Sequence, residues 1–122
     1  MILGDTSLWV EFFRQGRSAS LAALLAANRV LMHSAILGEL ATGNLHNRTV
    51  TLLMLRSLPR AKSGTTDECL TLIETHKLYG RGINWVDVQL LAAARLSHAR
   101  LWSLDRELMA AAKQLDVAYS ES

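Results

Sequence analysis

Cysteine occurs once in the chain, at Cys69, and proline once, at Pro59. A lone thiol excludes an intrachain disulfide framework. The longest purely apolar stretch runs only from Leu21 to Ala27, far short of the roughly 20 residues a bilayer-spanning helix needs. The first residues carry no signal-peptide pattern, so the expected address is cytoplasmic. His33, His46, His76 and His98 show no His-x-x-x-His or Cys/His spacing, which argues against zinc. Gly80-Arg81-Gly82 lacks the third glycine of a dinucleotide loop. Ser7 and Ser34 have no nucleophile-elbow context, and Ser7 stands where an Asp-x-Asp phosphatase needs its second acid. Trp9, Trp85 and Trp102 each neighbour apolar residues and are expected in the core.

What is present is a chain of 122 residues, 50% hydrophobic and 20% charged. That composition excludes intrinsic disorder and predicts one domain over residues 1–122. The formal charge of +2 is too small to announce a nucleic-acid partner. Its distribution says more. From Phe12 to Thr66 there is a single acid, Glu39, against Arg14, Arg17, Arg29, Arg48, Arg56, Arg60 and Lys62. Such asymmetry points mildly toward a polyanion.

Apolar periodicity predicts helices over about 7–14, 20–27, 34–42, 49–58, 67–77, 85–99 and 105–115. Ser18 or Ser20 starts the second of these, and Pro59 ends the fourth. Leu70 and Ile73 are expected inward on the fifth, and Val88, Leu91, Ala92 and Leu96 on the sixth. Short strands are expected at 2–4, 29–33, 100–103 and 117–119. Strands alternating with helices, with no hairpin signal, predict an α/β domain with a mainly parallel sheet covered on both faces.

In such sheets ligands bind beyond the carboxyl ends of the strands. Asp5 follows the first strand, Asp105 follows the strand near Ser103, and Asp87 lies three residues after Asn84. Each has an ordinary explanation as a helix cap or first-turn acid. Glu39 does not. It sits in Ala35-Ile36-Leu37-Gly38-Glu39-Leu40-Ala41 with no Lys or Arg three or four residues away. A carboxylate on so apolar a helix is costly unless a cation meets it. With three acids at strand ends, Glu39 favours a metal site over an arginine partner. An oxygen-only ligand set suits Mg²⁺ or Mn²⁺. Without a cation the carboxylates repel, which raises some of their pKa values.

Four segments, in order and across nearly the whole chain, carry a family resemblance. They are Ile2-Leu3-Gly4-Asp5-Thr6-Ser7-Leu8-Trp9, Leu37-Gly38-Glu39-Leu40, Leu78 through Asp87, and Leu101-Trp102-Ser103-Leu104-Asp105-Arg106-Glu107-Leu108. The chain resembles the PIN-domain ribonucleases, specifically the VapC-type toxins of bacterial toxin–antitoxin pairs. The resemblance implies a three-layer α/β/α domain with a central sheet of four or five strands and about seven helices. It implies that Asp5, Glu39, Asp87 and Asp105 form a catalytic site around Mg²⁺ or Mn²⁺, with hydroxyls supplied by Thr6, Ser7 or Ser103. It implies hydrolysis of an RNA phosphodiester, a small antitoxin partner, and a second toxin copy in a homodimer. Arg48, Arg56, Arg60, Lys62 and Arg81 are the candidate RNA-backbone contacts. The run Leu52-Leu53-Met54-Leu55 is a candidate docking surface for the antitoxin. Two positions depart from the family pattern. Gly4 stands where a strand favours a branched apolar residue, and Asn84 stands where a smaller one is commoner.

Other readings are a non-catalytic PIN-like binding module and a metal-dependent nuclease acting on DNA. If four of the eleven acids neutralise a metal, seven remain against thirteen bases, a charge of +6. The near-neutral sum then hides an acidic pocket in a basic surface.

Overall fold

The computed structural model describes residues 1–15 and 19–121. Arg17 and Ser18, named above, lie outside them. Ile2-Leu3-Gly4 forms the central strand β1, flanked by β2 (Val30–Leu31) and β3 (Arg100–Trp102). Both pairings are parallel, with Leu3 opposite Leu31 on one side and Leu101 on the other. Successive strand residues face opposite sides of a sheet, and Ile2, Leu3 and Gly4 are all buried. Both faces are therefore covered, as a parallel sheet requires.

The sheet has three strands rather than four or five. Each edge carries one further rung. Met32 bridges to Arg60 beyond β2, and Leu101 bridges to Ala118 beyond β3. The expected strand at 117–119 is therefore a single bridge. Its backbone bonds to the sheet go to one residue only, with Leu101 N–H donating to the Val117 carbonyl and Tyr119 N–H to the Leu101 carbonyl.

Seven helices among the described residues complete the domain: α1 (Thr6–Gln15), α2 (Ala19–Ala26), α3 (Ser34–Thr42), α4 (Arg48–Ser57), α5 (Thr66–His76), α6 (Trp85–Leu96) and α7 (Arg106–Gln114). Their ends follow local chemistry. Thr65 and Glu68 close a capping box on α5, and Asn84 and Asp87 close one on α6. The imidazole of His33 accepts from Ala35 N–H and caps α3. Lys77 ends α5 in the left-handed conformation.

Large apolar side chains meet between the layers. Leu3, Trp9, Leu90, Leu91, Leu101 and Leu108 are wholly buried, each contributing about 1.5–3 kcal/mol by transfer from water. Trp9 and Trp102 are in this core, as expected, but Trp85 is 43% exposed. On α5 the buried residues are Cys69 and Leu72, while Leu70 is exposed. Burial pushes the Cys69 thiol pKa up, which keeps it inert. Helix α6 stops at Leu96, which is exposed in its last turn instead of continuing the inward stripe.

Gly4 is explained by close approach. A Cβ there would stand 2.9 Å from Leu8 Cδ2 and 3.3 Å from Trp9 Nε1. The absent side chain lets α1 lie tight against β1, and β1 is the best-paired strand of the sheet despite its glycine. No helix among the described residues is long and apolar enough to cross a membrane.

Candidate active site

The carboxyl ends of β1 and β3 lie side by side. Asp5 N–H donates to the Trp102 carbonyl at 3.2 Å, which fixes Asp5 at this edge. The Asp5 side chain is buried and surrounded by donors. Its Oδ1 accepts from Ser7 Oγ at 2.7 Å and from Leu8 N–H at 3.1 Å. Its Oδ2 accepts from Ser103 Oγ at 2.5 Å. Three donors offset the cost of taking this charge out of water. The network extends outward, because Asp105 N–H donates to Ser103 Oγ and Leu104 N–H donates to Ser7 Oγ.

Asp105 is the N-cap of α7. One oxygen, Oδ1, accepts from Glu107 N–H at 2.9 Å and from Leu108 N–H at 3.1 Å. Asp87 sits in the first turn of α6, where Oδ2 accepts from Asn84 N–H at 3.0 Å. The ordinary capping readings of both residues hold. In each, the second oxygen is left without a hydrogen bond among the described residues. The carboxylate that caps a helix thus still has an oxygen to offer.

Glu39, on α3, accepts a hydrogen bond from Thr6 Oγ1. It is exposed, so the desolvation cost expected from its apolar helix is not incurred. Its charge is solvated at an open cavity, and no Lys or Arg pairs with it among the described residues.

Asp5, Glu39, Asp87 and Asp105 line one cavity of about 210 Å³. Thr6, Ser7 and Asn84 add polar wall, and Ile36, Val86 and Leu90 add apolar wall. No Lys or Arg among the described residues lines it. Burial raises the pKa of the Asp87 carboxyl, the Asn84 backbone N–H pulls it back, and Asp105, Asp5 and Glu39 push it up further. That is the repulsion expected of carboxylates sharing a pocket without a cation. Among the described residues no three His, Cys, Asp or Glu side chains are drawn into a ready metal cage. The capping bonds of α6 and α7 hold Asp87 and Asp105 at the rim. An oxygen-only set, unpaired with any base and mutually repelling, fits a hard divalent cation in its donor chemistry.

The candidate RNA contacts lie away from this wall. The Arg48 guanidinium donates to the Ala41 and Gly43 carbonyls, tying the start of α4 to the end of α3. Arg81 donates to Gln114 Oε1. Arg56, Arg60 and Lys62 are exposed. Of the Leu52–Leu55 run, Leu55 is buried and Leu53 exposed, with Val50 exposed one turn before it.

A second cavity of about 360 Å³ adjoins the first and shares Thr6 and Glu39 with it. Its wall includes Val10, Phe13, Leu40 and Arg14. Sequence reasoning missed the exposure of Trp85 and the approach of Arg14 to Glu39's cavity. Neither has a local sequence signal, because both follow from how α1, α3 and α6 pack.

No family model matches the chain. Two curated relatives do, both called ribonuclease VapC32, from Mycobacterium tuberculosis strains CDC 1551 / Oshkosh and H37Rv. Each is 39% identical over 122 residues, covering 99% of this chain and 98% of the relative. Coverage of that extent takes in nearly the whole of both chains. With the parallel α/β fold and the acids at the strand ends, it means that the chain belongs to the VapC family of PIN-domain ribonucleases.

Proposed function

We propose that this chain is the toxin of a toxin–antitoxin pair, an endoribonuclease that depends on Mg²⁺ or Mn²⁺. The observation that carries this reading is a cavity lined by four carboxylates from four separate parts of the chain, with no basic residue among the described residues of its wall. A phosphodiester is itself an anion and is repelled by such a pocket. Asp5, Glu39, Asp87 and Asp105 are the residues that would hold a divalent cation, whose charge would offset that repulsion. When bound, it supplies Lewis acidity and lowers the pKa of water enough for attack near neutral pH.

The protein's own part is orientation. Ser7, Ser103 and Leu8 N–H hold both Asp5 oxygens, so the buried carboxylate has one position. Thr6 fixes one oxygen of Glu39. The first turns of α6 and α7 hold Asp87 and Asp105 by one oxygen each. Hydrolysis forms a P–O bond to water and breaks a P–O bond of the RNA backbone, with the leaving oxygen taking a proton. Arg56, Arg60 and Lys62, and the remaining donors of Arg48 and Arg81, are the groups to meet backbone phosphates at longer range.

The family reading also brings a small antitoxin and a second toxin copy as partners, in the cytoplasm. The exposed Val50 and Leu53 on α4 support docking of an amphipathic antitoxin segment. Cleavage of RNA by purified protein in Mg²⁺ or Mn²⁺, abolished by EDTA, is the expected result. Cleavage that persists in Asp5→Asn overturns the site. A melting temperature unmoved by Mn²⁺ favours a non-catalytic module instead.

A further inference from the structure

We infer that Trp85 is a nucleobase-stacking residue, on whose exposed indole a base of the single-stranded RNA substrate lies; this rests on the ribonuclease reading above. The three tryptophans have different fates. Trp9 is wholly buried and stacks on Phe13 with centroids 5.7 Å apart. Trp102 is 8% exposed and stacks on Tyr119 at 4.5 Å. Trp85 is 43% exposed and has no ring partner among the described residues. Leaving 43% of so large a side chain in water forgoes part of the stabilisation that burial gives the other two.

Its place explains what covers it. Trp85 is the first residue of α6 and lies between Asn84 and Val86, both in the wall of the carboxylate cavity. Asp87 follows two residues later. The Asn84–Asp87 capping box fixes the backbone on both sides of the indole. The Trp85 backbone is therefore fixed next to the cavity wall, and its side chain is not part of that wall. A strand whose phosphate enters that cavity passes its neighbouring bases near Trp85.

The wall also leaves a need. With no Lys or Arg among the described residues lining the cavity, side-chain ion pairs there do not set which phosphate enters. Stacking on an aromatic face does this for unpaired bases, and tolerates sequence because every base has a π-face. Tyr79 is more exposed, at 61%, but neither it nor its neighbours Leu78 and Gly80 line the cavity. It serves as the control.

The test is cleavage of single-stranded oligoribonucleotides in which one abasic residue is walked through the cut region. For wild type, one abasic position beside the cut is expected to raise KM about tenfold. Trp85→Ala and Trp85→Leu raise KM about tenfold on intact RNA, with kcat within about twofold, and the abasic position then costs nothing more. Trp85→Phe keeps most of the affinity, and Tyr79→Ala behaves as wild type. Unchanged KM in Trp85→Leu, or a full abasic penalty persisting in that variant, overturns the inference. Trp85→Leu retains apolar bulk, so the result does not hang on whether Trp85→Ala folds. Failure of wild type to cut any RNA is a separate outcome, which removes the ribonuclease reading and this inference with it.

Discussion

Ser103 Oγ donates to Asp5 Oδ2 at 2.5 Å, joining residues 98 positions apart. The bond spans the carboxyl ends of β3 and β1, and the same hydroxyl accepts from Asp105 N–H at 2.9 Å. One serine thereby sets the orientation of one acid and the backbone position of another. Replacing Ser103 by Ala removes a donor from a buried carboxylate, at a cost of about 1–3 kcal/mol. With Asp5 as a metal ligand in the proposed reading, RNA cleavage by Ser103→Ala is expected to fall about 10- to 100-fold. Cleavage at the wild-type rate would remove this role.

Asp87 gives a prediction of opposite sign. Burial and three neighbouring carboxylates raise its pKa. An acid whose folded pKa is raised stabilises the fold at low pH and loses that contribution as pH rises through the folded value. At neutral pH the charged form is therefore a liability. Asp87→Asn keeps an acceptor for Asn84 N–H and removes the charge. In EDTA its melting temperature at pH 7 should exceed that of wild type. Solvent screening limits the gain to below about 1 kcal/mol, or roughly 4 °C. The gain should vanish near pH 4, and cleavage should be lost throughout.

His33 is buried, and burial first, then Arg60, lowers its pKa from 6.5. Its Nδ1 accepts from Ala35 N–H at 3.0 Å, so the neutral ring is the form that caps α3. A base with a lowered folded pKa contributes stability that is present above its unfolded value and lost as pH falls below it. Wild type should therefore lose melting temperature below about pH 6.5 more steeply than His33→Asn, since Asn caps without titrating. Parallel pH profiles for the two proteins would contradict this.

At Gly4 the tight packing of α1 on β1 leaves no room for a methyl group. The Leu8 side chain can shift only against the core, so Gly4→Ala should cost about 1–3 kcal/mol. Urea unfolding monitored by circular dichroism measures it, and an unchanged midpoint would show that α1 is free to move away.

Much of this was legible in the sequence. All seven helices were, because apolar periodicity, Pro59 and the Asn84–Asp87 spacing are local signals of where a helix starts or stops. Glu39 stood out because its apolar neighbourhood offers no local cation, and Asp5, Asp87 and Asp105 because each falls where a strand ends or a helix begins. The strand at 117–119 was over-read, since two apolar residues and a tyrosine suggest a strand whether the backbone makes one rung or four. Leu70 and Leu96 were expected inward because periodicity gives the phase of a helix face but not where its neighbours end.

The sequence by itself determined the alternation of helix and strand, the helix caps, and the acids at the strand ends. These depend on interactions between residues within about four positions of one another. The tertiary structure decided the rest. It placed Ser103 on Asp5 across 98 positions, gathered four carboxylates around one cavity with no Lys or Arg among the described residues of its wall, and left Trp85 partly exposed next to two residues of that wall. Those are properties of the space between elements, which exists only once β1, α3, α6 and α7 have packed together.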